Sequence, residues 1–317
     1  MLQMMSTQME SLGNIIDSFC IKEIGYFIAT FLFIWGFYLM IKTEKSQEHT
    51  QYRNDINQAP KHSFCTNPNC VRCSLYTKVI AEATCRLKIV CEKGNQSEVA
   101  IAEKITHYLK NTSLSSERFQ KPNVLYLNIL HSRPLWEGMD FLTGLECKFN
   151  IIKSEFKIIY DKHVDRWRNN DTAHGKWSIF SLINQGRTLT ENIALCPDTF
   201  KIVSSLPNLM QKNVFGNVAF SVVEPGTHIF PHYGPTNIRL RCHLGLITPK
   251  KCYMKVAEET VTWEDGKCLV FDDSYLHSVE HAGTKEDGIR AILMIDLWHP
   301  DIIEEQQQIL DMAFAPL

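Results

Sequence analysis

The sequence has no basic tract, no glycine-rich phosphate loop following a strand and no repeat of fixed period. Those absences argue against a nucleic-acid-binding protein, a nucleotide fold built on such a loop, and a solenoid. Neither sign of charge is in excess: 33 Lys and Arg stand against 35 Asp and Glu, a formal net charge of −2, so no nucleic-acid partner is expected. No Ala-x-Ala pattern follows the long apolar run near the N-terminus, and that run carries no polar stripe. A cleaved signal peptide would show the first feature and an amphipathic core helix the second. What is present is the composition of a folded globular protein: 317 residues, 44% hydrophobic and 21% charged, enough for a sizeable core.

The apolar run, Ile24 to Ile41, is uncharged throughout and rich in Phe, Ile and Leu, with Tyr26, Trp35 and Tyr38 toward its ends and Lys22, Glu23 and Lys42 outside it. As a helix it spans ~27 Å, near the hydrocarbon thickness of a bilayer, and the aromatics suit the two interfaces. Residues 24–41 are therefore expected to form a single transmembrane helix after a short tail, 1–23. Residues 42–64 are polar without an apolar period and read as a linker. Lys22 precedes the run while Lys42, Lys45 and Arg53 follow it, a small bias toward a cytosolic C-terminal domain.

Residues 65–120 read as a Cys-containing, helical module. Cys65, Cys70 and Cys73 pack three thiols into a short stretch, with spacing open to a structural zinc completed by Cys85 or Cys91, to disulfides, or to plain thiols. The spacing also occurs among iron–sulfur ligands, but the surrounding chain lacks ferredoxin features. The chain has 11 Cys, an odd number that leaves at least one unpaired. Asn95, Asn111 and Asn170 sit in glycosylation sequons, which permit glycosylation without deciding topology. Apolar residues recur at helical spacing between Glu98 and Lys110 and again from about Trp136 to Tyr160, predicting amphipathic helices. From Trp177 the period shifts toward two, predicting strands at Trp177–Leu182 and Asn217–Val223.

Residues 121–317 are organised around the stretch from Ser221 to Arg290. From Ile238 on, Arg239, Arg241 and His243 fall on one face of an extended segment, and Leu240, Cys242, Leu244 and Leu246 on the other. Two Arg and a His within five residues, just after His232-Tyr233-Gly234-Pro235, suit the lining of an anion pocket better than a solvated face. His277 follows on a later strand, beyond the turn Asp272-Asp273-Ser274, and Arg290 opens a third. That is the linear layout of a jelly-roll site in which two imidazoles hold Fe(II) and the later Arg meets the far carboxylate of 2-oxoglutarate. Such sites usually add a carboxylate two residues after the first His, and here that position is Gly234. Arg290 sits in an apolar strand where an unpaired guanidinium would cost several kcal/mol, so it needs an anion. Asp296, ~20 Å along the same strand, cannot serve. A ligand carboxylate could, as could Asp272, Asp273 or Glu280.

The stretches Asn217–Leu246 and Trp263–Pro300, with His-Tyr-Gly-Pro-Thr-Asn, Phe-Asp-Asp-Ser and Asp-Leu-Trp-His-Pro, resemble the aspartyl/asparaginyl β-hydroxylase family, and more narrowly its membrane-anchored aspartate β-hydroxylase domain-containing members. The resemblance implies a mainly β, double-stranded β-helix (jelly roll) with flanking helices. It further implies two-His iron binding by His232 and His277 with a glycine in the acid's place, and 2-oxoglutarate held by Ser221 and Arg290 at one end and Arg241 and His243 near the metal, with Trp177 lining the pocket. The implied reaction is Cβ hydroxylation of Asp or Asn in a polypeptide, by a type II membrane protein whose catalytic domain is lumenal. A catalytically inactive tethered binding module and an oxygenase for a lipid or small molecule are the alternative readings.

Overall fold

The computed structural model describes residues 31–40, 42, 76–110, 118–170, 172 and 174–316. The chain divides into two units, Met1–Gln58 and Ala59–Leu317. In the first, residues 31–40 are helical and exposed throughout, Phe33 and Phe31 among them. Among the described residues no helix is long and apolar enough to cross a membrane. The anchor expected at 24–41 is described only over 31–40; residues 24–30 and 41 lie outside the described residues, as do the tail, residues 43–64 of the linker, Cys65, Cys70, Cys73 and Asn111.

In the second unit, helices α1 (Tyr76–Lys93) and α2 (Gln96–Lys110) come first. Asn95 caps α2, its Oδ1 accepting from the Ser97 and Glu98 amides while Glu98 accepts from the Asn95 amide. Val79, Ala83, Leu87, Ile105 and Leu109 bury against Ile309, Leu310 and Phe314 of the C-terminal segment, so the first and last helices of this unit share a core.

Four short strands precede the barrel: β1 (Leu135–Trp136), β2 (Arg168–Asn170), β3 (Trp177–Asn184) and β4 (Arg187–Thr188). Helix α3 (Phe149–Lys162) turns its Ile152, Phe156 and Ile159 inward, as their spacing predicts. Trp136, expected at the start of that helical stretch, belongs to β1 instead, pairing with Val270; Gly138, at φ 74°, turns the chain before any helix begins. Helix α4 (Pro197–Ser204) follows β4.

Eight strands then step between two sheets: β5 (Val218–Val223), β6 (His228–His232), β7 (Arg239–Ile247), β8 (Cys252–Val256), β9 (Glu259–Val261), β10 (Cys268–Phe271), β11 (His277–His281) and β12 (Arg290–Trp298), before helix α5 (Glu304–Ala313). One sheet runs β1-β10-β7-β12-β5-β3-β2 and the other β6-β11-β8-β9, all neighbours antiparallel. The protein is thus mainly β, and this strand order is that of a double-stranded β-helix. The outer face of the larger sheet carries Phe180, Phe220, Leu240, Leu244 and Leu293 against the α3 residues Ile152 and Phe156. Its inner face meets the smaller sheet across a second core of Val223, Ile292 and Phe271 with Ile229, Met254 and Val279.

Register fixes which inward side chains stand abreast. Gly245, Ile292, Ser221, Ile179 and Arg168 form one lateral row across five strands. His243, Met294, Ala219 and Ser181 form the next.

Candidate active site

His232 ends β6 and His277 begins β11, and the two are register partners across the smaller sheet. Their rings lie 4.1 Å apart, centroid to centroid. Each uses the same local device: His232 Nδ1–H donates to the Phe230 carbonyl and His277 Nδ1–H to the Tyr275 carbonyl, both at 2.8 Å and both two residues back. A carbonyl only accepts, so the proton sits on Nδ1 and the basic lone pair on Nε2 in both rings, the tautomer a metal ligand needs. Phe271 stands edge-on to His277 and to His243.

Across the barrel, Arg290 opens β12 at 2% exposure, its guanidinium 4.7 Å above the Trp263 ring. One terminal nitrogen makes long 3.5 Å contacts to the carbonyl and hydroxyl of Ser221, and the buried Nε has no hydrogen-bond partner. The carboxylates the sequence offered are engaged elsewhere: Asp272 by Gln120 and Ser274, Asp273 by two arginines, Glu280 by the Tyr253 hydroxyl. Burial works against the charge on Arg290, and the Cys252 thiol beside it offers only a weak acceptor. A buried guanidinium in this state is costly without an anion, which is what a bound carboxylate supplies. Ser221 Oγ accepts from the Trp177 indole N–H at 3.0 Å, which leaves the hydroxyl proton for another acceptor.

Arg239 and Arg241, expected to line an anion pocket, meet anions that belong to the chain. Arg239 pairs with Asp273 at 2.5 Å and Asp296 at 3.2 Å, and also donates to the Phe215 carbonyl. Arg241 pairs with Asp296 at 2.8 Å and Asp273 at 3.2 Å. These four groups form a buried quartet of balanced charge, in which the guanidiniums hold the Asp273 carboxyl well below the usual carboxylate range against the opposing effect of burial. Next along β7, His243 accepts from the Trp263 indole N–H at 3.2 Å on Nδ1, so its proton is on Nε2. Burial, then Arg290 and Arg241, push its pKa well below the ordinary value and keep it neutral.

Gly234 explains the absent third ligand. A Cβ there would lie 2.5 Å from Asp273 Cγ, so the space an acid would need is filled by the Asp273 carboxylate, and the Gly234 amide donates to the Asp273 carbonyl at 2.6 Å. Among the described residues no cluster of three His, Cys, Asp or Glu side chains stands ready for a metal. The donor set is the imidazole pair, which fits a ferrous ion that keeps its other positions for oxygen donors and water.

Sequence reasoning passed over Trp263, which touches both Arg290 and His243, and did not assign Asp273 and Asp296 to the β7 arginines. The signal for the acids was available: two inward arginines on one strand require two buried carboxylates nearby. Trp263 carried no comparable mark.

The fold and this inner face define a jelly-roll protein with a facing histidine pair and a buried, unmatched guanidinium across the barrel. Residues 146–300 match the profile of the family described as aspartyl/asparaginyl beta-hydroxylase. The chain is 38% identical over 261 residues to human aspartate beta-hydroxylase domain-containing protein 2, covering 80% of this chain and 71% of that one. Its identity to the rat protein of that name is 35% over 299 residues, covering 90% and 87%. Human aspartyl/asparaginyl beta-hydroxylase is 35% identical over 193 residues, 58% of this chain and 25% of that protein. The chain belongs to the aspartyl/asparaginyl β-hydroxylase family.

Proposed function

We propose that this hydroxylase-family protein is an Fe(II)/2-oxoglutarate-dependent dioxygenase that hydroxylates Asp or Asn side chains of a polypeptide. The observation that carries the reading is Arg290: fully buried, without a carboxylate partner among the described residues, and set beside the Ser221 hydroxyl. His232 and His277 would hold the iron through Nε2. Arg290 and Ser221 would bind the far carboxylate of 2-oxoglutarate, with Trp177 fixing the Ser221 hydroxyl. When bound, Fe(II), 2-oxoglutarate and dioxygen supply the oxidant that replaces a C–H bond by C–OH. The chain's own part is to bind, orient and exclude water. Trp263 and Phe271 wall the site, His243 offers a neutral N–H donor near the metal end, and the quartet holds Arg241 beside it without presenting an excess of charge.

The apolar run of the first unit supports a membrane location. Residues 31–40 expose a continuous apolar helical surface, and burial of such a surface in lipid is strongly favoured. The full run 24–41 would anchor a type II protein with its catalytic domain in the secretory-pathway lumen.

Purified full chain in detergent, given Fe(II) and 2-oxoglutarate, is expected to show the anaerobic absorption band of a metal–cosubstrate complex and to release succinate when supplied with peptide. Arg290→Ala should weaken cosubstrate binding by about 2 kcal/mol or more. Succinate release retained by His277→Ala would overturn the assignment.

A further inference from the structure

A cleft of about 400 Å³ opens at the β2 edge of the larger sheet, lined by Arg168, Ile179, Ser181, Leu189, Glu191 and Asn192 among others. It is a continuation of the catalytic face. Ile179 and Arg168 stand in the same lateral row as Ser221, and Ser181 in the row of Ala219, Met294 and His243. At a strand spacing of ~4.8 Å, the Arg168 backbone lies ~10 Å from that of Ser221 and Ser181 lies ~14 Å from His243. Only the small side chain of Ala219 separates Ser181 from Met294 in that row.

The cleft's charges are unevenly matched. Arg166 pairs with Glu191 at 2.5 Å and with Asp165 at 3.7 Å, and the Asn192 amide is spent on the Ser181 carbonyl. Arg168 has no carboxylate within ion-pair distance among the described residues, and its strand pairs on one side only, with β3. A guanidinium is the side chain best shaped to take a carboxylate in a two-bond fork.

We propose that this cleft seats the polypeptide next to its reacting residue and that Arg168 pairs there with a carboxylate of that polypeptide. The proposal rests on the function proposed above. It makes the substrate an acidic sequence, with an Asp or Glu about four residues from the modified position in an extended chain at ~3.3 Å per residue.

The test is fluorescence anisotropy of labelled peptides on the full chain in detergent, comparing alternating Asp-Ser, Asn-Ser and Lys-Ser sequences. The Asp peptide is expected to bind about tenfold tighter than the Asn peptide. Arg168→Gln should narrow that preference, leaving only what the reacting residue itself contributes, and Arg168→Glu should turn it toward the Lys peptide. Equal binding of Asp and Asn peptides by the unaltered chain, no binding of either, or an unchanged preference in Arg168→Glu would overturn the proposal. Cosubstrate affinity, titrated on the same samples with 2-oxoglutarate, reports on the function proposed above, so the two readings fail separately.

Discussion

Placing an aspartate at position 234 would give the chain the carboxylate that iron oxygenases usually set two residues after the first histidine, and simple sequence logic expects tighter metal binding. The geometry predicts the reverse. A Cβ at 234 falls 2.5 Å from Asp273 Cγ and Oδ1 and 2.6 Å from Oδ2, closer than real Cβ atoms approach. Asp273 is 1% exposed and cannot swing aside without releasing Arg239 and Arg241. Overpacking of this kind costs ~1–3 kcal/mol, and a third carboxylate against a balanced buried quartet adds to it. A total of about 3 kcal/mol would lower the melting temperature by ~6–12 °C in a domain of this size. Differential scanning fluorimetry of Gly234→Asp with and without Fe(II) reads both effects. The double variant Gly234→Asp/Asp273→Ala should lose less than the two single losses together, by about 1 kcal/mol or more, because the clash and the like charge vanish with Asp273. Gly234→Asp melting with the unaltered protein and binding Fe(II) more tightly would refute the reasoning.

Trp263→Phe keeps an aromatic face under Arg290 but removes the N–H given to His243, so it should cost about 1 kcal/mol and free the imidazole to exchange tautomers. Imidazole nitrogen shifts in NMR check this, and an unchanged single tautomer would contradict it. Asp272 is pushed up to about 8 by burial, tempered by hydrogen bonds from Ser274 and Gln120. From the ordinary Asp value near ~4 up to 8, the folded state holds a proton that the unfolded chain has released, so this group makes stability fall as pH rises through that window, by at most ~1.4 kcal/mol per pH unit. Asp273 acts oppositely and lower: its contribution is present above the ordinary carboxylate range and is lost as pH falls beneath it. Asp272→Asn should therefore flatten the decline in denaturant midpoint between pH ~5 and ~8, and an unaltered slope would remove the assignment.

Much of the barrel was legible because its strands alternate: Arg239–Ile247 puts apolar residues on the outer face at every second position, and Trp177–Asn184 does so at Phe180 and Leu182. The proximity of His232 and His277 follows from the strand order, which makes β6 and β11 neighbours. Trp136 was misplaced because a two-residue strand has no period of its own and is defined only by its pairing with β10. The quartet was hidden for a similar reason. Asp296 faces Arg241 across the β12–β7 register, while Asp273 arrives from a turn after β10, and neither contact leaves a mark in local spacing. Register itself was unreadable where bulges intervene, between Ser181 and Ile183, His277 and Val279, and Ala291 and Ile292. Those irregularities decide that Ser181 stands abreast of His243, and so whether the edge cleft belongs to the catalytic face.

The charges inside the barrel also bear on the choice of substrate. Arg239 and Arg241 are cancelled by Asp273 and Asp296, His243 is held neutral, and Asp272 keeps its proton, so among the described residues of the barrel interior Arg290 is the one left uncompensated. On the proposed function, Fe(II) and a 2-oxoglutarate dianion would cancel each other, leaving the loaded site one charge positive. With glycine at position 234 no protein carboxylate offsets that charge at the metal, so the charge would be left for the substrate to meet. In a water-poor cavity that residual charge favours an anionic side chain over an amide of the same shape. Asp should therefore outrank Asn as the reacting residue in peptides matched at every other position, by about tenfold in kcat/KM, and uncharged lipids should not compete. Equal turnover of the two peptides, measured as hydroxylated product formed per unit time, would mean that the charge left by Gly234 is neutralised by some group other than the substrate.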